Sequence, residues 1–411
     1  MDVMLNCPSG CETIHHRLKC GAQIYILPKN RNISVGAVVI GFGAADREFY
    51  FQNRYYKVPY GTAHFLEHQM FEQTDGNVME KFINLGAEAN AFTDNGKTVY
   101  YFKTAENFKE NFRTLLNFVE TPYFEKNSVE NEKDIIKNEI AMYNDEPEWK
   151  AFFGALKNLW PESSMSREIA GDAESVEKIN SDILYTCHKA FYTPDNMTII
   201  CGGDIQADEL MTEAEKILSG AKRETAKAVC LKTESDSGFA ELKMDIKVPR
   251  FCVAYPVSPG GCKARKMFYL RLAAEAAFGE SSEMFKQLSG EGIMDEVPTV
   301  EIYEHKGLAY MAVSGTASDV NKAVEAVKNA VNKIKENGIV KRSFIRIRKK
   351  ITGDFMRSVD GCETAVMMQA EFRDRSLAEI AETVRNMSHG EFCNILEAIG
   401  TDAGVCVVKG K

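Results

Sequence analysis

The stretch Tyr60–Phe71, YGTAHFLEHQMF, decides how the rest of this sequence is interpreted. Apolar spacing from Thr62 to Glu72 predicts a helix. Residues four apart lie on one helix face, so His64 and His68 can offer both imidazoles to one ion, with Glu67 beside them. Imidazole nitrogen suits zinc, and a catalytic zinc usually has three protein ligands and a water. The alternative is a solvated helix face that carries two histidines.

A third ligand must come from another segment. The predicted helix from Ser128 to Tyr143 carries Glu132 and Glu139, which are seven residues apart and therefore two turns along one face. Both glutamates are candidates for reaching the ion. Hydrogen bonds from groups behind the ligands hold metal-bound imidazoles in their tautomers, and one of these two glutamates suits that role.

This set of residue types points to hydrolysis. Zinc lowers the pKa of its bound water toward neutrality and polarises a carbonyl, while a nearby carboxylate takes the water proton and passes it to a leaving amine. Glu67 is the carboxylate predicted to act as this general base. The sequence therefore indicates one zinc ion per chain and cleavage of a peptide bond.

Helices and strands alternate around this stretch. Ala22–Leu27 and Val35–Phe42 are predicted strands, and Asn77–Leu85 is a predicted helix that Gly86 ends. The following elements are a hairpin around Asp94-Asn95-Gly96 and two more helices, with predicted bounds Glu88–Thr93, Thr98–Thr104, Asn107–Val119 and Ser128–Tyr143.

The same order of elements returns after Gly260. The predicted elements are a helix ending at Phe278, a short helix, two strands and two helices, bounded as Ser282–Leu288, Thr299–Tyr303, Leu308–Ser314, Asp319–Lys335 and Ser343–Met356. This parallel predicts an internal duplication of about 200 residues.

Fold class and domain bounds follow from the duplication. We expect an α+β protein of two homologous domains, each a mixed, mostly antiparallel sheet backed by helices. The boundary is expected within Ala221–Gly238, where charged and small residues replace apolar periodicity. The predicted domains are a zinc-binding domain at 1–225, a linker at 226–235 and a metal-free domain at 236–411.

Composition limits the partners. The 411 residues are 45% hydrophobic and 27% charged, with a formal net charge of −9. Nucleic acids and anionic membranes bind concentrated basic surfaces, so neither is an expected partner. The first ten residues lack the basic start and apolar stretch of a secretory signal, and no run of 18 apolar residues follows, which indicates a cytoplasmic protein.

Four motifs resemble the inverted-motif zinc peptidases of the pitrilysin and insulinase type: Gly61–His68, Gly86–Thr93, Thr98–Tyr101 and Glu132–Pro147. The resemblance covers nearly the whole chain and is strongest to bacterial two-domain relatives of the mitochondrial processing peptidase catalytic subunit. It implies His64, His68 and Glu139 as zinc ligands and Glu67 as general base. It also implies that Glu132 supports the site without touching the ion.

The resemblance further implies that Asn90, Ala91, Phe92 and Thr93 bind an extended peptide. Strand addition to a sheet edge gives affinity through main-chain hydrogen bonds, largely independent of sequence. The alternative is that these residues form an ordinary edge strand.

One part of the family pattern is missing. Active members use an Arg and a Tyr, seven apart, from the metal-free half, but alignment places Ser289 and Glu296 there, and no Arg lies between Arg271 and Arg342. We therefore expect a dimer with a homologous, non-catalytic subunit that supplies the Arg and Tyr. A non-catalytic scaffold subunit is the main alternative, and the shorter ribosylhomocysteine lyase, which uses a Cys ligand, is another.

Overall fold

The computed structural model describes residues 12–219 and 224–411. The strands are β1 (Ile14–Arg17), β2 (Gln23–Pro28), β3 (Ser34–Ile40), β4 (Glu48–Phe51), β5 (Arg54–Lys57), β6 (Glu72–Gln73), β7 (Gly76–Asn77), β8 (Ala87–Thr93), β9 (Thr98–Thr104), β10 (Met197–Gly203), β11 (Lys227–Ala228), β12 (Phe239–Met244), β13 (Arg250–Pro256), β14 (Thr299–His305), β15 (Leu308–Thr316) and β16 (Gly404–Gly410).

The α-helices occur between these strands. They are α1 (Thr62–Met70), α2 (Val78–Asn84), α3 (Phe108–Glu120), α4 (Lys126–Asn144), α5 (Pro147–Leu159), α6 (Ala173–Glu177), α7 (Ser181–Phe191), α8 (Ala207–Ile217), α9 (Lys263–Phe278), α10 (Glu283–Gly290), α11 (Val320–Asn337), α12 (Lys341–Asp360), α13 (Cys362–Glu371), α14 (Leu377–Arg385) and α15 (His389–Leu396).

The chain forms two compact units, and neither is one continuous stretch. Among the described residues, the first comprises 12–138, 169–219, 224–229 and 355–382, and the second comprises 139–168, 230–354 and 383–411. One division falls inside α4, between Asn138 and Glu139, so both units include part of this uninterrupted helix. The predicted domain bounds stay predictions, and part of Ala221–Gly238 lies outside the described residues.

The main sheet of the first unit has the order β1-β2-β10-β3-β9-β8. Only β2 and β10 pair in parallel, and every other neighbouring pair is antiparallel. Every residue of β10 is buried, as is every residue of β3 after Ser34. The core therefore runs along the middle of the sheet, whereas β8 lies at one edge.

The predicted hairpin joins β8 to β9. The carboxylate of Asp94 accepts hydrogen bonds from the backbone amides of Gly96 (2.8 Å) and Lys97 (2.9 Å), which closes the turn. The buried Lys97 side chain pairs with Asp94 and with Glu371 of α13, each at 2.7 Å. These contacts fix the end of the hairpin against a helix of the same unit.

The sheet of the second unit has the order β12-β16-β13-β15-β14, with only β12 and β16 parallel. Strand for strand, this repeats the order and directions of β2-β10-β3-β9-β8. In both units a pair of helices follows the central strand, then a hairpin, then two long helices. The predicted α+β class and internal duplication are confirmed.

Helix α5 covers the sheet of the second unit, where it packs on β13 and β16. A Cβ at Gly404 of β16 would lie 2.2 Å from the carbonyl oxygen of Ala155, so this close approach requires glycine. Helix α13 packs correspondingly on β3 and β10 in the first unit. Each sheet is thus covered by a helix that lies far from it in the sequence.

The helix predicted at Thr62–Glu72 is shorter than expected. It ends at Met70, and Glu72–Gln73 instead pairs with Gly76–Asn77 in a two-residue hairpin. Gly76 has a φ of 110°, which glycine adopts readily and other residues rarely do. Across residues 12–219 and 224–411, no helix is both long and apolar enough to cross a bilayer.

Candidate metal centre and active site

Helix α1 begins directly after Gly61, a position where another residue would be strained. Gly61 has a φ of 81°, and a Cβ there would lie 2.2 Å from the carbonyl oxygen of Ala170. The hydroxyl of Thr62 donates to the carbonyl of Pro59 at 2.8 Å and secures the first turn. This start sets the direction of a helix that is buried at every position except His68.

The two histidines lie one turn apart with ring centroids 4.5 Å from each other. Burial, and then the neighbouring His68, lower the pKa of His64 to about 3. His64 is therefore a neutral imidazole at physiological pH, and a neutral imidazole is the form that binds a metal.

Helix α4 brings a carboxylate to this pair. His64, His68 and Glu139 each offer one ligand atom, and the three atoms lie within 4.8 Å of one another. Two imidazole nitrogens and one carboxylate oxygen form the donor set of many catalytic zinc sites. The residues present therefore fit zinc.

Glu132, two turns before Glu139, contacts a histidine. Its Oε1 lies 2.9 Å from Nδ1 of His68. An ionised carboxylate only accepts hydrogen bonds, so Nδ1 carries the proton and Nε2 keeps its lone pair for the ion. The structure thus places the two glutamates of one helix in different positions relative to the histidine pair.

Glu67 is the buried carboxylate between the two histidines in sequence. The hydroxyl of Thr93, at the end of β8, donates to Oε2 of Glu67 at 2.5 Å. Thr93 also lies 3.2 Å from the hydroxyl of Thr98 on β9. The carboxylate is therefore fixed from the side of the sheet.

Two buried tyrosines that the sequence argument did not select lie behind these threonines. The hydroxyls of Tyr100 and Tyr192 are 2.7 Å apart. Burial, then the partner tyrosine and Glu67, raise the pKa of Tyr100 well above its ordinary value. The i, i+2 spacing of Thr98 and Tyr100 on one strand was a usable signal, but no local pattern pointed to Tyr192.

The residues predicted to bind substrate lie on the edge strand β8. In the described part of the chain β8 pairs with β9 alone, and Asn90 and Phe92 are exposed. The side-chain oxygen of Asn90 accepts from the backbone amide of Ala91 at 2.8 Å. The strand therefore offers main-chain groups at an unpaired edge, as strand addition requires.

The second unit provides no arginine at the aligned position. Ser289 is exposed on α10, and Glu296 is exposed in the segment that follows. Two tyrosines lie on the strands that follow, β14 and β15. Tyr310 is buried and donates to Oε1 of Glu301 at 2.5 Å, while Tyr303 stacks on Tyr310 with ring centroids 6.0 Å apart. The hydroxyl of Tyr310 is thus engaged within its own unit.

Comparison with known families and proteins shows the family to which the chain belongs. Residues 53–173 match the family "Insulinase (Peptidase family M16)", and residues 178–351 match "Peptidase M16 inactive domain". The chain is 30% identical over 419 residues to "Uncharacterized zinc protease YmfH" of Bacillus subtilis (strain 168), a match that covers 97% of each chain. The chain belongs to the insulinase family, peptidase family M16.

Other known proteins share its fold or part of its sequence. An M16-like peptidase from Alicyclobacillus acidocaldarius superposes with a TM-score of 0.91 at 26% identity, and the match covers 100% of both chains. A mitochondrial-processing peptidase subunit beta from Arabidopsis thaliana is 27% identical over 206 residues, or 47% of this chain and 39% of that protein. The resemblance drawn from the motifs is confirmed.

Proposed function

We propose that this M16 chain is a zinc-dependent endopeptidase that cleaves peptides or unfolded segments. The observation that carries the proposal is the convergence of His64, His68 and Glu139 within 4.8 Å beside the buried Glu67. A scaffold subunit has no need of this donor set. The relatives named zinc proteases also favour an enzyme.

The residues divide the chemistry between them. His64, His68 and Glu139 would hold the ion, and Glu132 would keep the proton of His68 on Nδ1. Bound zinc supplies an acidified water and a polarised carbonyl. Glu67 takes the water proton and then delivers it to the departing amine nitrogen.

The edge strand suits an extended substrate. A peptide that pairs with Asn90–Thr93 is held mainly through its backbone, so recognition tolerates many sequences. Folded proteins rarely expose a free extended segment. This is why we propose peptides and unfolded segments as the substrate class.

Full activity is proposed to require a dimer with a homologous subunit. The M16 pattern places an Arg and a Tyr in the metal-free half, whereas this chain has the exposed Ser289 and Glu296. Donors aimed at a developing oxyanion contribute a few kcal/mol to catalysis, so their loss is costly. A partner without zinc ligands but with the Arg and Tyr would restore them.

The test measures zinc content and cleavage of an unstructured peptide for the wild type and for His68→Ala, each alone and mixed with a related chain that carries the Arg and Tyr. We expect one zinc per chain, lost in His68→Ala, and cleavage that rises strongly on mixing. Full zinc-dependent activity of the isolated chain would refute the partner requirement. Absence of both zinc and cleavage in every pairing would favour the scaffold role.

A further inference from the structure

Thr93 is the last residue of β8, and its side chain is directed at helix α1. Its hydroxyl donates to Oε2 of Glu67 at 2.5 Å, a short distance typical of a hydroxyl bound to an ionised carboxylate. A hydroxyl has one proton to donate. Because this proton goes to Glu67, the side chain of Thr93 can only accept from a substrate.

The hydroxyl of Thr98 lies next to that of Thr93. Thr98 is the cross-strand partner of Thr93, and the two hydroxyl oxygens are 3.2 Å apart. Thr98 is fully buried, and its hydroxyl donates to the carbonyl oxygen of Phe42 at 3.0 Å. The hydroxyl of Thr93 is therefore confined between a carboxylate and a buried neighbour, which fixes its rotamer.

We propose that Thr93 is a positioning residue that holds the general base, an inference that rests on the proposed peptidase function. Its hydroxyl holds the carboxylate of Glu67 through Oε2. The proton of the attacking water moves to the Glu67 carboxylate as the water oxygen bonds to the carbonyl carbon. The same proton then moves to the amide nitrogen as the carbon–nitrogen bond breaks.

This contact also joins substrate binding to the base. Thr93 lies on the strand proposed to pair with the peptide, so the hydroxyl that orients Glu67 and the main-chain groups proposed to bind the substrate belong to the same strand. Orientation of this kind acts on the transition state more than on ground-state binding. Loss of the hydroxyl should therefore lower kcat and leave KM nearly unchanged.

Thr93→Val removes the hydroxyl but keeps the β-branched shape that suits a strand. We expect kcat to fall on the order of tenfold to a hundredfold, with KM and zinc content unchanged, and Thr93→Ser to restore most of it. The matched control is Thr104→Val, which removes a threonine hydroxyl bonded to the Glu106 carbonyl oxygen at the other end of the same hairpin. This control should keep wild-type kcat.

A second measurement needs no activity. In the metal-free protein, a double-mutant cycle compares the unfolding free energies of the wild type, Thr93→Val, Glu67→Gln and the double variant. The two changes should be non-additive because the side chains are in contact. Thr93→Ala takes the place of Thr93→Val in both assays if the latter does not fold.

The outcomes separate the two proposals. If the wild type is active, three results would overturn the role of Thr93 and leave the peptidase function standing. They are an unchanged kcat in Thr93→Val, a raised KM instead of a lowered kcat in that variant, and an additive cycle. A wild type that is inactive in every pairing overturns the peptidase function, and the positioning role with it, whatever the cycle gives.

Discussion

Nδ1 of His68 lies 2.9 Å from Oε1 of Glu132, whereas Glu139, two turns further along the same helix, joins the ligand group itself. One helix thus presents two glutamates that lie differently relative to the same histidine pair. Under the proposed function, Glu132 would keep the proton of His68 on Nδ1, and Glu139 would add an oxygen ligand. The two residues should therefore respond differently to substitution.

Glu132→Ala should weaken zinc binding without abolishing it. Partners of ligating histidines typically contribute about 10-fold to 100-fold in metal affinity, because they fix the tautomer and orientation of the ring. Competition with a chelator of known affinity measures the change. Glu130→Gln is the matched control, because Glu130 lies on the same helix but pairs with Lys133, and a similar loss in that variant would contradict the assignment.

Glu67→Gln should separate metal binding from catalysis. Glu67 lies outside the group of three ligand atoms, so zinc content should remain at the wild-type level. A glutamine cannot take up the water proton, so kcat should fall by roughly 10²-fold to 10⁴-fold. Metal analysis and peptide cleavage on the same sample test both parts. Retained turnover would remove Glu67 as the base.

Lys97→Met should destabilise the first unit. Burial lowers the pKa of Lys97, but the carboxylates of Asp94 and Glu371 outweigh it and raise that pKa above the ordinary value. Removing the ammonium leaves two carboxylates close together. We therefore expect the free energy of unfolding to fall by about 2 kcal/mol. This is less than the roughly 3–5 kcal/mol for breaking a fully buried pair, because both acids are partly exposed.

The pH dependence of this loss has a definite sign. A raised lysine pKa means that the stabilisation is complete below the unfolded-state value of about 10.4 and disappears as the pH rises through the folded-state value. Denaturant unfolding at pH 7 should therefore show the full difference between wild type and Lys97→Met. Lys81→Met, which breaks only an exposed pair with Asp75, should change little, and equal effects of the two substitutions would contradict the argument.

Much of this architecture could be predicted from local sequence. Apolar periodicity and turn residues placed helices and strands such as α3 and β9 within a few residues of their true ends. The repeated order of elements identified the duplication. The placement of His64 and His68 on one helix face followed from helical spacing alone, because that argument needs only one turn of one helix.

Contacts that depend on tertiary packing could not be predicted in this way. Spacing left Glu132 and Glu139 equivalent, since both lie on one helix face. The segment Pro147–Leu159 predicts a helix, but its local sequence does not indicate which sheet α5 covers, and it packs on the sheet of the second unit. The bond between Thr93 and Glu67 joins residues 26 apart in sequence and depends on how β8 lies over α1.

Bound zinc should raise the free energy of unfolding, and this gain should depend on the three proposed ligands. An ion that binds only the native state adds about 2.7 kcal/mol to the unfolding free energy when its free concentration is one hundred times its dissociation constant. Denaturant unfolding of the wild type with and without zinc should show a gain of this kind, and Glu139→Ala should lose most of it, because only the two imidazoles would remain. The control Asp134→Asn changes an exposed carboxylate on the same helix that pairs with Lys137, and it should keep the wild-type gain. An equal zinc-dependent gain in Glu139→Ala would mean that the ion binds elsewhere, and the ligand group of His64, His68 and Glu139 would then have to be abandoned as the zinc site.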